Sequence, residues 1–305
     1  MNLTNEKNEY SELPEFWDGD TAKRIINIIR SNFIIFTIFY LNPGVTLPNI
    51  PPANTEISKE KNLSWLSRAA LDFYFDLNIL RKADAGYVAI IAQKGHIIHA
   101  TAKGMADIEN RIPMNTKTRF RIASMTKPIT AVATLILIEE GKLKLDDPIE
   151  KYLPLASQIS VALPDNQITD NTFATEPLKR PITIIDLLTF SSGAGYNDSV
   201  DHKGQSKLAN LWAENDIYDG FGSLEDRVNK IMKLPFFEQP VEIWRYGWST
   251  DILARVIEVA SQKPFSEFLE EKIFSPLDMD DTNFLSQENK ANEIAEVYSR
   301  NGAFN

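Results

Sequence analysis

Apolar residues recur at helical spacing from Leu63 to Leu80 (Leu66, Ala69, Ala70, Phe73, Leu77, Leu80), which predicts an amphipathic helix with one buried face. Two strand-like runs follow, Tyr87–Ala92 and His96–Ala102. The short connection Gln93-Lys94-Gly95 between them reads as the turn of an antiparallel hairpin. After a polar loop at 110–117, the run Thr118–Ile122 leads into a long helix from about Ser124 to Glu140. The apolar face of this helix is Ile129, Val132, Ala133, Ile136 and Leu137, and Gly141 stands where a left-handed residue closes a helix. Between Ser157 and Pro181 the composition turns to Asp, Asn, Thr and Pro, a surface excursion. A short helix, Thr183–Thr189, ends at the Ser191-Ser192-Gly193 turn, and amphipathic helices are expected over Thr250–Ala260 and Pro264–Phe274.

The longest apolar stretch, Ile25–Leu41, admits two readings. Arg30, Asn27, Ser31 and Asn32 interrupt it, and a central arginine costs roughly 2.5–3.5 kcal/mol on insertion scales. It is either a degenerate signal anchor attaching the chain to a membrane, at the cell envelope or periplasm, or an N-terminal helix packed on a domain that then has no need of a membrane and could be cytoplasmic. The segment Asn42–Pro52 carries four prolines and a glycine and suits an extended tether. Residues 1–52 therefore read as a leader, and 53–305 as the folded domain.

With 43% hydrophobic residues over 305 positions, the chain can bury a large core. Its formal charge of −10, with no block of five or more lysines and arginines, argues against nucleic acid as a partner. The sequence has no cysteine, which excludes disulfides, thiolate-bound metals and a thiol nucleophile. His96 and His99 sit three apart on one strand, and His202 lies in a polar loop. They read as surface or strand residues, neither a metal set nor part of a Ser-His-Asp triad, and no G-x-S-x-G elbow occurs.

Ser124-Met125-Thr126-Lys127 places a hydroxyl and an amine three residues apart on the first turn of a helix, on one face. A nucleophile beside a base needs that arrangement. The helix N-terminus adds N–H groups and a partial positive charge that favour the oxyanion of acyl transfer. A lysine serves as base only if its pKa falls. The same four-residue pattern occurs at Ser58-Lys59-Glu60-Lys61, in a polar linker with no preceding strand, so the pattern alone decides nothing.

Its surroundings do. Gly104-Met105-Ala106-Asp107, the run from Phe120 to Lys127, Leu145-Asp146-Asp147-Pro148, Tyr152-Leu153-Pro154, Ile182-Thr183-Ile184, Leu187-Leu188-Thr189 and Ser192-Gly193 occur in order. They are followed by Tyr246, Asp251-Ile252-Leu253 and the stretches Ile273–Met279 and Asp281–Phe284. Over roughly Ala85–Phe284 the chain resembles the serine β-lactamase-like hydrolases: class C β-lactamases, esterases and D-stereospecific peptidases. The resemblance implies an α+β fold of the β-lactamase/transpeptidase type, a helical subdomain with an antiparallel sheet flanked by helices. It implies no metal or cofactor, and a small-molecule or peptide-like substrate attacked at an ester, amide or β-lactam carbonyl. Ser124 would be acylated, Lys127 would hold or take its proton, and Tyr246 would be a partner base or proton shuttle.

Three departures qualify this. Tyr246-Gly247-Trp248 stands where lactamases of this class read Y-x-N, and an indole cannot make an amide's paired contacts, which favours an esterase or peptidase. Phe190 occupies a place where histidine is common, and Val241 follows Pro240 where glycine is usual. The resemblance also implies further strands beyond Phe284 bearing a K-T-G or H-x-G motif, whereas only Gly302 follows Gly247. The domain therefore reads as lacking its C-terminal strands, with an uncovered sheet edge and exposed apolar helix faces. Two readings follow: a serine hydrolase represented by a fragment, or a truncated, non-catalytic member acting, if folded, as a binding or interaction protein.

Overall fold

A computed structural model describes residues 34–37, 65–81, 83–93, 96–163, 174–196, 207–215, 217, 222–284, 294–299 and 302–303. The chain divides into two compact units, one containing Ser124–Asp280 and the other built from Lys23–Ala123 with Asp281–Asn305.

The second unit is a four-stranded antiparallel sheet in the order β1-β2-β3-β4, with β1 Ile34–Thr37, β2 Gly86–Gln93, β3 His96–Asp107 and β4 Ile112–Pro113. The predicted hairpin is the β2–β3 pair, longer than its apolar runs and with a register shift at Ile91/Ala92. Side chains alternate across β2. Tyr87 and Ala89 pack with Phe75 and Ile79 of helix α1 (Trp65–Leu80), and Val88 packs on the opposite face with Ala102, Ala106, Met114 and Ala295. Because both faces are covered, Ile98 to Ala102 are buried without a break, His99 among them at 4% exposure. His99 is thus an interior strand residue, not a surface one, with its Nε2 3.6 Å from Asp72 of α1. Phe73 and Leu80, expected on the buried face of α1, are turned to solvent with Tyr74; the helix is rotated so that Phe75 and Ile79 meet the sheet instead.

Neither reading of Ile25–Leu41 as a helix holds for Ile34–Thr37, which forms β1 and pairs with the edge of β2 from Ile34↔Ile91 to Thr37↔Val88. A short β-branched and aromatic run satisfies its backbone as readily on an open sheet edge as in a helix. The rest of that stretch, the tether at 42–52, Ser58–Lys61 and His202 lie outside the described residues. Among the described residues no helix is long and apolar enough to cross a membrane. Thr118–Ile122 forms no strand; Arg119 makes a single parallel bridge to Ile294, and Arg121 reaches the Ala295 carbonyl.

The first unit is mainly helical. Helix α2 (Thr126–Glu139) follows a 3-10 turn at Ala123–Met125 and ends at Glu140, with Gly141 at φ +71°. The predicted excursion is partly structured: β5 (Ser160–Ala162) pairs with β6 (Thr175–Pro177), and Val161 is buried. Helix α3 (Ile184–Leu188) starts at Thr183, whose N–H and hydroxyl both donate to Asp186 Oδ2 at 2.8 Å, and Arg180 binds the same carboxylate bidentately. Helices α4 (Lys207–Glu214) and α5 (Leu224–Met232) follow. Helix α6 (Ser249–Ser261) is the hub, packing on α2, α3 and α5 through Ile252, Leu253, Val256 and Ile257. The predicted helix at 264–274 is α7 (Phe265–Leu269) continued by a π-helical turn, Glu270–Phe274.

Candidate active site

All three residues singled out in the sequence lie in the helical unit and converge. Lys127 Nζ donates to Ser124 Oγ at 3.2 Å, and the Tyr246 hydroxyl donates to the same oxygen at 2.7 Å. Ser124 lies in the 3-10 turn, and Lys127 lies in the first turn of α2, so a three-residue separation brings the two side chains to one face. No side chain caps this helix. Ala123, immediately before the serine, holds φ +42°, a conformation that costs a non-glycine residue of order 1–3 kcal/mol and persists where surrounding structure imposes it.

Tyr246 comes from a distant segment that runs beside the turn after α3. Val241 N–H donates to the Ser191 carbonyl (2.8 Å), Arg245 N–H to Phe190 (2.8 Å) and Trp248 N–H to Ala194 (3.0 Å), and Gly195 and Gly247 form an antiparallel bridge. The Arg245 guanidinium is pinned bidentately by Glu238, and the Ser192 and Ser249 hydroxyls meet at 2.8 Å in the interior. The usual glycine is replaced by Val241, and the strain is visible: Val241 adopts φ +71°. Trp248, in the place of the lactamase amide, is buried at 3% exposure and packs edge-on against Tyr196, with centroids 4.9 Å apart.

Sequence reasoning missed the aromatic surround. Lys127 Nζ lies 4.7 Å from the Tyr246 ring centroid and 5.7 Å from that of Tyr196. Phe190 stacks on Tyr246 (5.3 Å, 26°), Trp244 lies 6.3 Å from it at 30°, and Tyr196 meets it edge-on at 5.5 Å. The available signal was the alternation Trp244, Tyr246, Trp248 along an extended segment and the tyrosine just after Gly193-Ala194-Gly195.

These contacts set the charges. Burial pushes the Lys127 amine down, but hydrogen bonds and charge interactions with Tyr246 and Tyr196 outweigh it and hold the pKa above the ordinary lysine value. Burial pushes the Tyr246 phenol up, but hydrogen bonding to Ser124 and Lys127 and the lysine charge outweigh it and bring it below the ordinary tyrosine value. Burial raises the Asp251 carboxyl in the first turn of α6, against the opposing pull of Lys127 and Arg227. The Lys127 amine is therefore not shifted in the direction a lysine base requires, while the phenol is shifted toward its ionised form.

Comparison with known proteins gives the family. The protein-family pattern described as Beta-lactamase matches residues 77–304, and the chain belongs to that family. It is 33% identical over 230 residues to esterase EstB of Burkholderia gladioli, covering 72% of this chain and 52% of EstB. Among solved structures it resembles EstCE1, a hydrolase with promiscuous acyltransferase activity, at a TM-score of 0.63 and 26% identity, covering 76% of this chain and 56% of EstCE1. It shares its fold with the simvastatin synthase LovD of Aspergillus terreus (TM-score 0.61, 22% identity, 75% of this chain and 56% of LovD). The chain thus has the β-lactamase/transpeptidase-like fold and spans about half the length of the curated relatives it matches.

Proposed function

We propose that this chain carries the nucleophile, proton shuttle and cationic partner of a serine hydrolase that acts on esters through an acyl-enzyme. The carrying observation is that one serine oxygen, Ser124 Oγ, is within hydrogen-bond reach of both Tyr246 and Lys127. As the phenol stands it donates to Oγ; once ionised, the same contact runs in reverse and Ser124 donates. Tyr246 then takes the serine proton as Oγ attacks the carbonyl carbon, and returns it to the departing alcohol. Lys127 stays an ammonium, holding the phenolate and orienting Oγ, so the base role falls to Tyr246 and the lysine supplies charge. Water repeats the sequence on the acyl-enzyme and releases the acid.

Trp248 in the interior leaves no amide to bind a β-lactam side chain, which favours esters, and the likeness to EstB points the same way. The test is hydrolysis of p-nitrophenyl butyrate by the chain, Ser124→Ala and Tyr246→Phe. Turnover that Ser124→Ala abolishes and Tyr246→Phe lowers by about 10²–10⁴-fold supports the reading. A folded chain without Ser124-dependent turnover supports the binding-protein alternative instead.

A further inference from the structure

Three of the four residues Val241–Trp244 are large, apolar and turned to water: Val241 is 62% exposed, Ile243 51% and Trp244 65%. The fourth, Glu242, is drawn off by Lys179 at 2.9 Å. Neighbouring exposed apolar side chains beside a reactive group are candidates for a ligand contact. It is also held in place, because Arg245, the next residue, is fixed through its side chain by Glu238 and through its N–H by the Phe190 carbonyl. Trp244 and Tyr246 turn their rings toward each other, the indole lying 6.3 Å from the Tyr246 ring and 6.1 Å from that of Phe190. The patch therefore continues, ring by ring, to the hydroxyl that touches Ser124 Oγ.

Proton bookkeeping decides which half of a substrate lies there. When Oγ forms its bond to the carbonyl carbon, Tyr246 holds the serine proton; when the bond from that carbon to the alcohol oxygen breaks, the proton goes to that oxygen. The leaving oxygen must therefore sit within reach of the Tyr246 hydroxyl, and the chain it carries lies against the rings beside Tyr246. We propose that Trp244 is a platform for the apolar alcohol part of the ester, so that selectivity is exerted on the alcohol more than on the acyl group. This rests on the reading of Ser124 as the acylated residue and Tyr246 as its proton carrier.

Two series test it in the full chain: acetates of ethanol, butanol and hexanol, and ethyl esters of acetic, butyric and hexanoic acid. The expected result is a kcat/KM that rises at least about tenfold from ethyl to hexyl acetate. Trp244→Ala should flatten this rise, Trp244→Phe should keep part of it, and the acyl series should keep its slope in both variants. Equal losses in the two series, or no alcohol dependence at the outset, overturn the platform. Ser124→Ala separates the failures: hydrolysis that survives it overturns the nucleophile reading, whereas a dead Ser124→Ala beside a Trp244→Ala with an unaltered alcohol slope overturns the platform alone. Binding of 1-hexanol, followed by saturation-transfer NMR, gives an answer independent of turnover. Weaker binding by Trp244→Ala than by the unaltered chain is expected, and equal binding contradicts the proposal.

Discussion

Gly195 and Gly247 face each other across an antiparallel bridge so close that a β-carbon on Gly247 would stand 2.2 Å from the Ala194 carbonyl oxygen and 2.6 Å from the Gly195 α-carbon. This approach sets where Tyr246, one residue earlier, enters the site. Backbone surrounds the position, so nothing flexible can give way. Gly247→Ala is expected to lower unfolding stability by about 1–3 kcal/mol. It should also lower kcat/KM by about 10²-fold by displacing the phenol from Ser124. Denaturant melts paired with ester hydrolysis check both, and an alanine variant with unaltered activity would show that this contact does not position Tyr246.

Val241 presents the opposite case, a β-branched side chain where glycine belongs. Its φ of +71° forces the Cβ toward the following carbonyl. Val241→Gly relieves that strain, at some cost in unfolded-chain entropy. The expected net gain is about 1 kcal/mol, or roughly 2–4 °C in Tm. A thermal melt of the two proteins decides it, and a lower Tm for the glycine variant contradicts the strain argument.

Much of this architecture was legible in the sequence because local periodicity determined it. Helices α1 and α6 and the β2–β3 hairpin fall where apolar spacing places them, and Gly141 closes α2 as its position demands, but the face α1 buries is Phe75 and Ile79, not the predicted Phe73 and Leu80. Helical spacing puts Ser124 and Lys127 together, but the blocks around them made the pair legible, since Ser58 and Lys61 show the same spacing. What could not be read depends on partners distant in the chain. Ile34–Thr37 becomes a strand because an open edge of β2 accepts it, and an uninterrupted apolar run carries no period to announce that. Tyr196, Phe190 and Trp244 surround Tyr246 only after the 190–195 turn and the 241–248 segment pair, and the upward pull of Tyr196 and Tyr246 on Lys127 depends on that same pairing.

The protonation states give the reaction a definite pH dependence. In the proposed reaction the active form has Tyr246 deprotonated and Lys127 protonated. Activity should therefore rise with pH through a phenol pKa held below its ordinary value of about 10, and fall only above the ordinary lysine range. Tyr246→Phe should abolish the rising limb, and Lys127→Ala should move it upward, since the ammonium that favours the phenolate is gone. A kcat/KM profile in which Lys127→Ala leaves the rising limb in place contradicts the assignment.

His99 confers a second pH dependence, on stability. Burial holds its folded pKa below the ordinary value of about 6.5, although Asp72 pulls it up; Arg68 pushes it down. The unfolded chain then binds the proton more readily, so stability is complete above the ordinary histidine pKa and is lost as pH falls from there toward the folded value. Denaturation midpoints between pH 7.5 and 5 should decline in the parent chain. They should decline less in His99→Gln, whatever that variant's overall stability. Parallel curves would place the acid sensitivity elsewhere.

The central claim is that Ser124 Oγ becomes acylated. The most direct measurement is intact-protein mass spectrometry after brief exposure to p-nitrophenyl butyrate or a fluorophosphonate, with peptide mapping of the adduct. A single added acyl or phosphonyl group is expected on the peptide containing Ser124, none in Ser124→Ala, and much slower formation in Tyr246→Phe. A folded chain that takes no adduct, or takes it at another residue and keeps it in Ser124→Ala, would contradict the account.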